Sequence, residues 1–223
     1  MAAQPSELAA GLWRWTARHP EWHPGDFGRE VASYALRCDG EALLIDPLLP
    51  AEPKPVLALL DELSEQHELS TLITVPYHVR DAEALWRRYG ATIWGHPAAA
   101  KRLGDRQGFR AIEPGVQLPA GATAHEIGRP RRHEQPLHLP SHAAVAFGDA
   151  LVAVDGELRL WATERVDERA RRFYAERFAP TLRPLLDLDP QRILVTHGAA
   201  VVEGGRAALE RALDSPPWYR RGG

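Results

Sequence analysis

The chain has 223 residues, 44% of them apolar, enough to bury one sizeable core; the expectation is a single domain over residues 1–223, loose at 1–11 and 215–223. A formal net charge of −3 argues against a nucleic-acid partner, and the pairs Arg87-Arg88, Arg131-Arg132 and Arg171-Arg172 read as solvated faces. The single cysteine, Cys38, excludes an intrachain disulfide and a thiolate metal cluster, and no run reaches the roughly 18 apolar residues of a membrane span, so a cytoplasmic monomer or homodimer with no membrane partner is expected.

Residues 12–17, LWRWTA, alternate large apolar and polar side chains as a half-buried strand does. Prolines and glycines make 19–28 a loop, in which His19 and His23 share no helix face. Strands at 30–37 and 42–45 are joined across Asp39-Gly40, a strong hairpin signal, and the second ends at Asp46-Pro47. Residues 55–66 form an amphipathic helix. The apolar run 72–75 is a buried strand that Pro76 ends. Tyr77, His78, Val79, Arg80 and Asp81 then crowd one turn, and a helix follows with Asp81 as its N-cap. A strand at 91–94 and a short helix at 98–103 complete an α/β pattern.

From Phe109 the texture changes to short strand-like runs at 109–112, 117–118, 122–127, 137–139, 143–147 and 151–154, an antiparallel meander. Asp155-Gly156 reads as a turn. Residues 164–188 are helical, interrupted by Pro180 and Pro184; a strand at 193–196 and a helix at 204–213 follow.

Three strand ends carry ligand-type side chains: His78 with Asp81, Asp149 in Phe147-Gly148-Asp149-Ala150, and His197 in Thr196-His197-Gly198. Imidazole and carboxylate together suit zinc, iron or manganese. Each also has a structural reading: a helix cap at Asp81, a turn residue at Asp149, a hydrogen-bonded hinge at His197.

With these residues in place, the chain resembles the metallo-β-lactamase fold superfamily, glyoxalase II-like hydrolases included, over nearly its whole length. ALLIDP at 42–47 is similar to the family's opening hairpin and its Asp, IWGHP at 93–97 to the strand after the signature helix, FGDA at 147–150 to the Gly-Asp motif whose carboxylate bridges two metals, and VTHG at 195–198 to its C-terminal metal-binding histidine. The resemblance implies an α/β fold, a four-layer αβ/βα sandwich, with the metal site at one edge between the sheets. The signature T-H-x-H-x-D-H, aligned from Thr74, falls on Val75 and Tyr77 for its first two histidines, Val79 for its aspartate and Arg80 for its last histidine. His78 and Asp81 lie beside those positions. The third-strand histidine falls in GRPRRHE, residues 128–134, where His133 is the stand-in.

The implied metal set is His78, Asp81, Asp149 and His197, in a pocket with Tyr77, Arg80, Asp46 and His133. Arg80 at a ligand position opposes a divalent ion about 4 Å away by several kcal/mol at an effective dielectric near 20. Three readings follow. In the first, the dinuclear centre is lost or reduced, there is no cofactor, and a polar pocket takes a small anionic molecule. In the second, one zinc, iron or manganese ion survives and hydrolyses an ester or thioester. In the third, the protein is a non-catalytic interaction module anchored by exposed tryptophans.

Overall fold

A computed structural model describes residues 4–23, 27–162 and 164–219. The first sheet has seven strands in chain order: β1 (Ser6–Ala9), β2 (Leu12–Arg18), β3 (Glu30–Arg37), β4 (Glu41–Ile45), β5 (Glu68–Ile73), β6 (Thr92–Gly95) and β7 (Phe109–Ala111). Pairing is antiparallel from β1 to β4 and parallel from β4 to β7. Parallel neighbours need crossovers, which α1 (Lys54–Gln66) and α2 (Ala82–Tyr89) supply between β4, β5 and β6. Pro55 fixes φ in the first turn of α1, and Gly90, at φ 71°, ends α2 in the left-handed conformation that glycine adopts freely. Val56, Leu60 and Leu63 of α1 pack on Trp15, Ala35, Leu44 and Leu69 of the sheet's outer face.

The second sheet runs through β8 (Thr123–Ala124), β9 (Leu137–Leu139) and β10 (Ala144–Phe147). A separate hairpin, β11 (Leu151–Val154) with β12 (Glu157–Leu160), precedes β13 (Arg192–Val195). The order is β13-β10-β9-β8, antiparallel except for the parallel pair of β10 and β13. Strand periodicity divides β10 between two cores. Ala144 and Ala146 face the first sheet, with Leu137, Leu139 and Leu194 packing on Leu36, Leu43 and Leu72. Val145 and Phe147 face outward, onto Phe178, Leu182 and Leu209 of the second helical layer. That layer comprises α3 (Glu168–Phe173), a π turn (Tyr174–Phe178), α4 (Ala179–Leu182), a 3-10 segment (Arg183–Leu188) and α5 (Gly205–Asp214). Each fully buried Leu or Phe contributes about 1.5–3 kcal/mol. Helix, sheet, sheet and helix make the expected four-layer α/β sandwich.

Four local expectations are corrected. Strand β5 runs from Glu68 to Ile73 instead of 72–75, because its parallel register with β4 pairs Glu41 with Glu68 and Ile45 with Leu72. Residues from Thr74 onward are thereby released to the site. Strand β7 joins the first sheet through β6 and is not part of a meander, and residues 117–118 form no strand. The chain ends are tied down where they are described: β1 pairs with β2, and Trp218 bridges Trp161. Residues 1–3 and 220–223 lie outside the described residues. Among the described residues, no helix is long and apolar enough to cross a membrane.

Candidate functional site

Register brings the site together. Phe147 of β10 pairs with Val195 of β13, so Asp149 and His197 each follow the same rung by two residues. Across the sandwich, Asp46 directly follows β4 and β5 feeds the turn from Thr74 to Arg80.

Asp46 is buried and its carboxylate is fully engaged. Oδ1 accepts the Thr74 N–H at 2.8 Å, and Oδ2 accepts the Thr74 hydroxyl and lies 2.9 Å from His78 Nδ1. This carboxylate fixes the imidazole so that Nε2 lies 3.6 Å from Asp149 Oδ1. His197 Nε2 approaches the same oxygen at 3.5 Å. The other oxygen, Oδ2, accepts the Tyr77 hydroxyl and lies 3.6 Å from the Arg131 guanidinium. Burial alone would raise the Asp149 pKa, but His78, His197 and Arg131 together hold it well below the usual carboxylate range. The Tyr77 hydroxyl is pushed up by burial and by the Asp149 charge.

Glu134 clamps this strand end: its carboxylate accepts the N–H groups of Gly148 at 2.9 Å and Asp149 at 3.0 Å. Burial and the Asp149 charge push its pKa up to about 8. Gly148 is needed for close approach between the sheets, since a Cβ there would lie 2.1 Å from Val75 Cγ2. The His197 ring sits edge-on to Phe27 and Trp161, at 5.2 and 4.9 Å between centroids, and Arg131 stacks over Trp161 at 5.2 Å.

Arg80 lies on the other side of Asp46. Its Nη1 donates to the Asp46 carbonyl at 2.7 Å, while Nη2 is buried with no hydrogen-bond partner. Burial lowers its pKa, against the opposing pull of Asp46 and Asp149. A cavity of about 900 Å³ opens here, walled by His19, Tyr77, His78, Arg80, Arg102 and His197 among others. A second cavity, of about 410 Å³, shares Tyr77 and Arg102 with it and is lined by Lys101, Arg131, Arg132 and His133.

The structure therefore gathers Asp46, Tyr77, His78, Arg80, Asp149 and His197. It does not bring Asp81 to them: that carboxylate accepts the Leu49 N–H at 2.6 Å and makes no cap bond to α2. His133 lies in the second cavity, its ring centroid 5.0 Å from that of His96, and is exposed. Sequence reasoning missed Thr74, Arg131, Glu134 and His19. Arg131 belongs to a pair read as a solvated face, yet its guanidinium is against Asp149 and Trp161. The adjacent Glu134 stood in the segment already singled out for His133, which was the one available signal.

Among the described residues, no group of three or more His, Cys, Asp or Glu side chains is arranged to hold a metal ion. The Tyr77 hydroxyl and the Arg131 guanidinium occupy the Oδ2 edge of Asp149.

No family model and no curated protein sequence matches the chain. Solved structures do. A metallo-β-lactamase from Erythrobacter litoralis, with β-mercaptoethanol in its active site, is 18% identical over 94% of this chain and 94% of its own, with a TM-score of 0.63. A metallo-β-lactamase family protein from Thermus thermophilus is 17% identical over 93% of this chain and 80% of its own, with a TM-score of 0.59. Rubredoxin oxygen:oxidoreductase from Desulfovibrio gigas is 14% identical over 95% of this chain and 61% of its own, with a TM-score of 0.67. The chain has the metallo-β-lactamase fold.

Proposed function

We propose that this protein has lost the dinuclear metal centre and uses its pocket to bind a small anionic molecule on Arg80. The observation that carries this reading is the Arg80 Nη2 group: buried, without a hydrogen-bond partner, on a guanidinium that walls the larger cavity. A buried charged donor left unpaired is destabilising by more than about 1–3 kcal/mol, so the group calls for an acceptor. A carboxylate or phosphate suits it, because the planar guanidinium pairs with either in bidentate fashion. Asp46 is taken up by Thr74 and His78, and Oδ2 of Asp149 by Tyr77 and Arg131. The interaction-module reading loses its main support, since none of the seven tryptophans is exposed.

A second reading has one observation in its favour. Asp149 Oδ1 is buried and without a hydrogen-bond partner, with His78 Nε2 at 3.6 Å and His197 Nε2 at 3.5 Å. As they stand these three are not arranged around an ion, but after a shift of the side chains they would hold the single zinc, iron or manganese ion of an ester or thioester hydrolase, where the metal would supply Lewis acidity and an activated water.

Elemental mass spectrometry of protein purified without a chelating column, paired with calorimetric titration of inorganic phosphate and acetate, separates the two. The anion-pocket reading expects well under one equivalent of metal even after incubation with excess ion, and saturable anion binding that Arg80→Ala abolishes. About one equivalent of metal, lost in Asp149→Ala or His197→Ala, would overturn it in favour of the hydrolase.

A further inference from the structure

The second cavity is strongly basic and open to solvent. Lys101 and Arg102 come from the 3-10 turn Pro97–Arg102, and Arg131, Arg132 and His133 from the facing loop. The only acidic side chain in its wall is Glu134, which is 2% exposed and has both oxygens taken by the N–H groups of Gly148 and Asp149. Arg131 is turned to Asp149, but Lys101, Arg102 and Arg132 have no carboxylate within 4.0 Å among the described residues and are exposed. On a chain with a net charge of −3, three uncompensated cations around one small cavity are a local concentration that the overall balance hides.

This cavity is continuous in its walls with the larger one. Tyr77 and Arg102 line both. The Tyr77 hydroxyl is tied down by Asp149 and lies 3.5 Å from an Arg131 nitrogen, while the residue as a whole is 45% exposed. Tyr77 is therefore common to the wall that holds Arg80 and the wall that holds Lys101 and Arg132.

We infer that the two cavities hold one small molecule carrying an oxyanion group at each end, one end paired with Arg80 and the other with Lys101, Arg102 and Arg132, its middle lying over Tyr77. This rests on the anion-pocket reading and narrows its ligand to a bis-anionic class. The second anion meets exposed cations that solvent and salt screen, so the expected gain is about tenfold in affinity, equivalent to about 1.4 kcal/mol.

Calorimetric titration tests this with methylphosphonate as the one-anion probe, alkane bisphosphonates of increasing chain length, and dicarboxylates of the same lengths. The proteins are the wild type, Arg80→Ala and the surface double variant Lys101→Ala/Arg132→Ala. The expected result is an affinity optimum at one chain length, about tenfold tighter than methylphosphonate and weaker at high salt. The double variant should lose that gain and keep one-anion binding, whereas Arg80→Ala should lose both. A gain in either series supports the inference, and the series that shows it identifies the oxyanion as phosphate-like or carboxylate. Methylphosphonate binding with no gain at any length overturns this inference and leaves the one-anion pocket standing. Absence of binding by every probe overturns both.

Discussion

Arg80 donates from Nη1 to the main-chain carbonyl of Asp46 at 2.7 Å, and both residues hold positive φ, 40° at Arg80 and 45° at Asp46. The bond ties the turn after β5 to the end of β4 at two left-handed positions. For a non-glycine residue that conformation is unfavourable by about 1–2 kcal/mol. It persists because neighbouring groups hold it: the same Asp46 carbonyl also accepts the Ser33 hydroxyl at 2.8 Å. Strain of this kind gathers at binding sites, where it fixes a side chain's direction.

Two substitutions at Arg80 separate the bond from the strain. Arg80→Ala keeps a Cβ at φ 40° and loses the Nη1 bond to the Asp46 carbonyl, but it also loses the cost of the unpartnered Nη2, so its stability should stay within about 1 kcal/mol of wild type. Arg80→Gly removes the same bond but relieves the left-handed strain, and should be the more stable of the two by about 1 kcal/mol. Neither should bind phosphate. Urea denaturation of both variants is the check; equal stabilities would mean that the turn stores no strain.

The Asp46 carboxylate should matter more to folding than any other in the site. Removing it leaves the Thr74 N–H, the Thr74 hydroxyl and His78 Nδ1 facing a buried void. Asp46→Ala should lose about 3–5 kcal/mol. Asp46→Asn should lose only about 1 kcal/mol, because its carbonyl still accepts from Thr74 and its amide still donates to the hydroxyl or to an unprotonated Nδ1. Chemical denaturation should give that order, and similar losses in the two variants would remove Asp46 as the hub of this turn.

Much of this site was legible in the sequence, for physical reasons that differ by residue. Asp149 and His197 were found because each directly follows an apolar strand plus one small or polar residue, and adjacent parallel strands then align them. His78, Tyr77 and Arg80 were found because Pro76 stops the strand and forces a turn. Asp81 was misjudged because its competing partner, the Leu49 N–H, is 32 residues away and leaves no local signature. Arg131 and Glu134 were hidden for the same reason. Their roles depend on the loop before β9 folding against the ends of β5 and β10, a contact between sheets that periodicity does not encode. The fold survived these errors because apolar spacing and turn residues specify layers well, whereas register, as at β5, is set by the neighbouring strand.

Glu134 gives the site a pH signature. Its pKa is raised to about 8 in the folded protein from an ordinary value of 4.5, so the native state binds the proton more tightly than the unfolded chain. The stability tied to this group is complete below about pH 4.5 and is lost as pH rises through about 8, by an amount on the order of a few kcal/mol. Thermal melts of Glu134→Gln against wild type across pH 5–9 should show a flatter profile for the variant. Parallel profiles would mean that the two N–H donors of Gly148 and Asp149 keep the carboxylate ionised throughout.

The two glycines beside the aligned pair should be the least replaceable positions in the site. At Gly148 a Cβ would lie 2.1 Å from Val75 Cγ2 and 2.7 Å from Thr74 Oγ1, so Gly148→Ala must separate the ends of β10 and β5. At Gly198, with φ +90°, it would lie 2.1 Å from the Ala153 carbonyl oxygen, so strain and clash act together. Gly156 is the control: it also has positive φ, +82°, but its Cβ position has nothing within 4 Å. Gly156→Ala therefore reports left-handed strain alone, about 1–2 kcal/mol. Gly148→Ala should lose several kcal/mol although its backbone is not left-handed, and Gly198→Ala should lose at least as much. Melting temperatures of the three variants, measured side by side, check the ranking. If Gly148→Ala proved as mild as Gly156→Ala, the sheets would not approach there as closely as described, and Asp149 would have room to move away from Tyr77 and Arg131 toward His78 and His197. That outcome would favour the single-ion reading over the anion pocket, so the stability of one glycine variant bears directly on the chemistry of the carboxylate next to it.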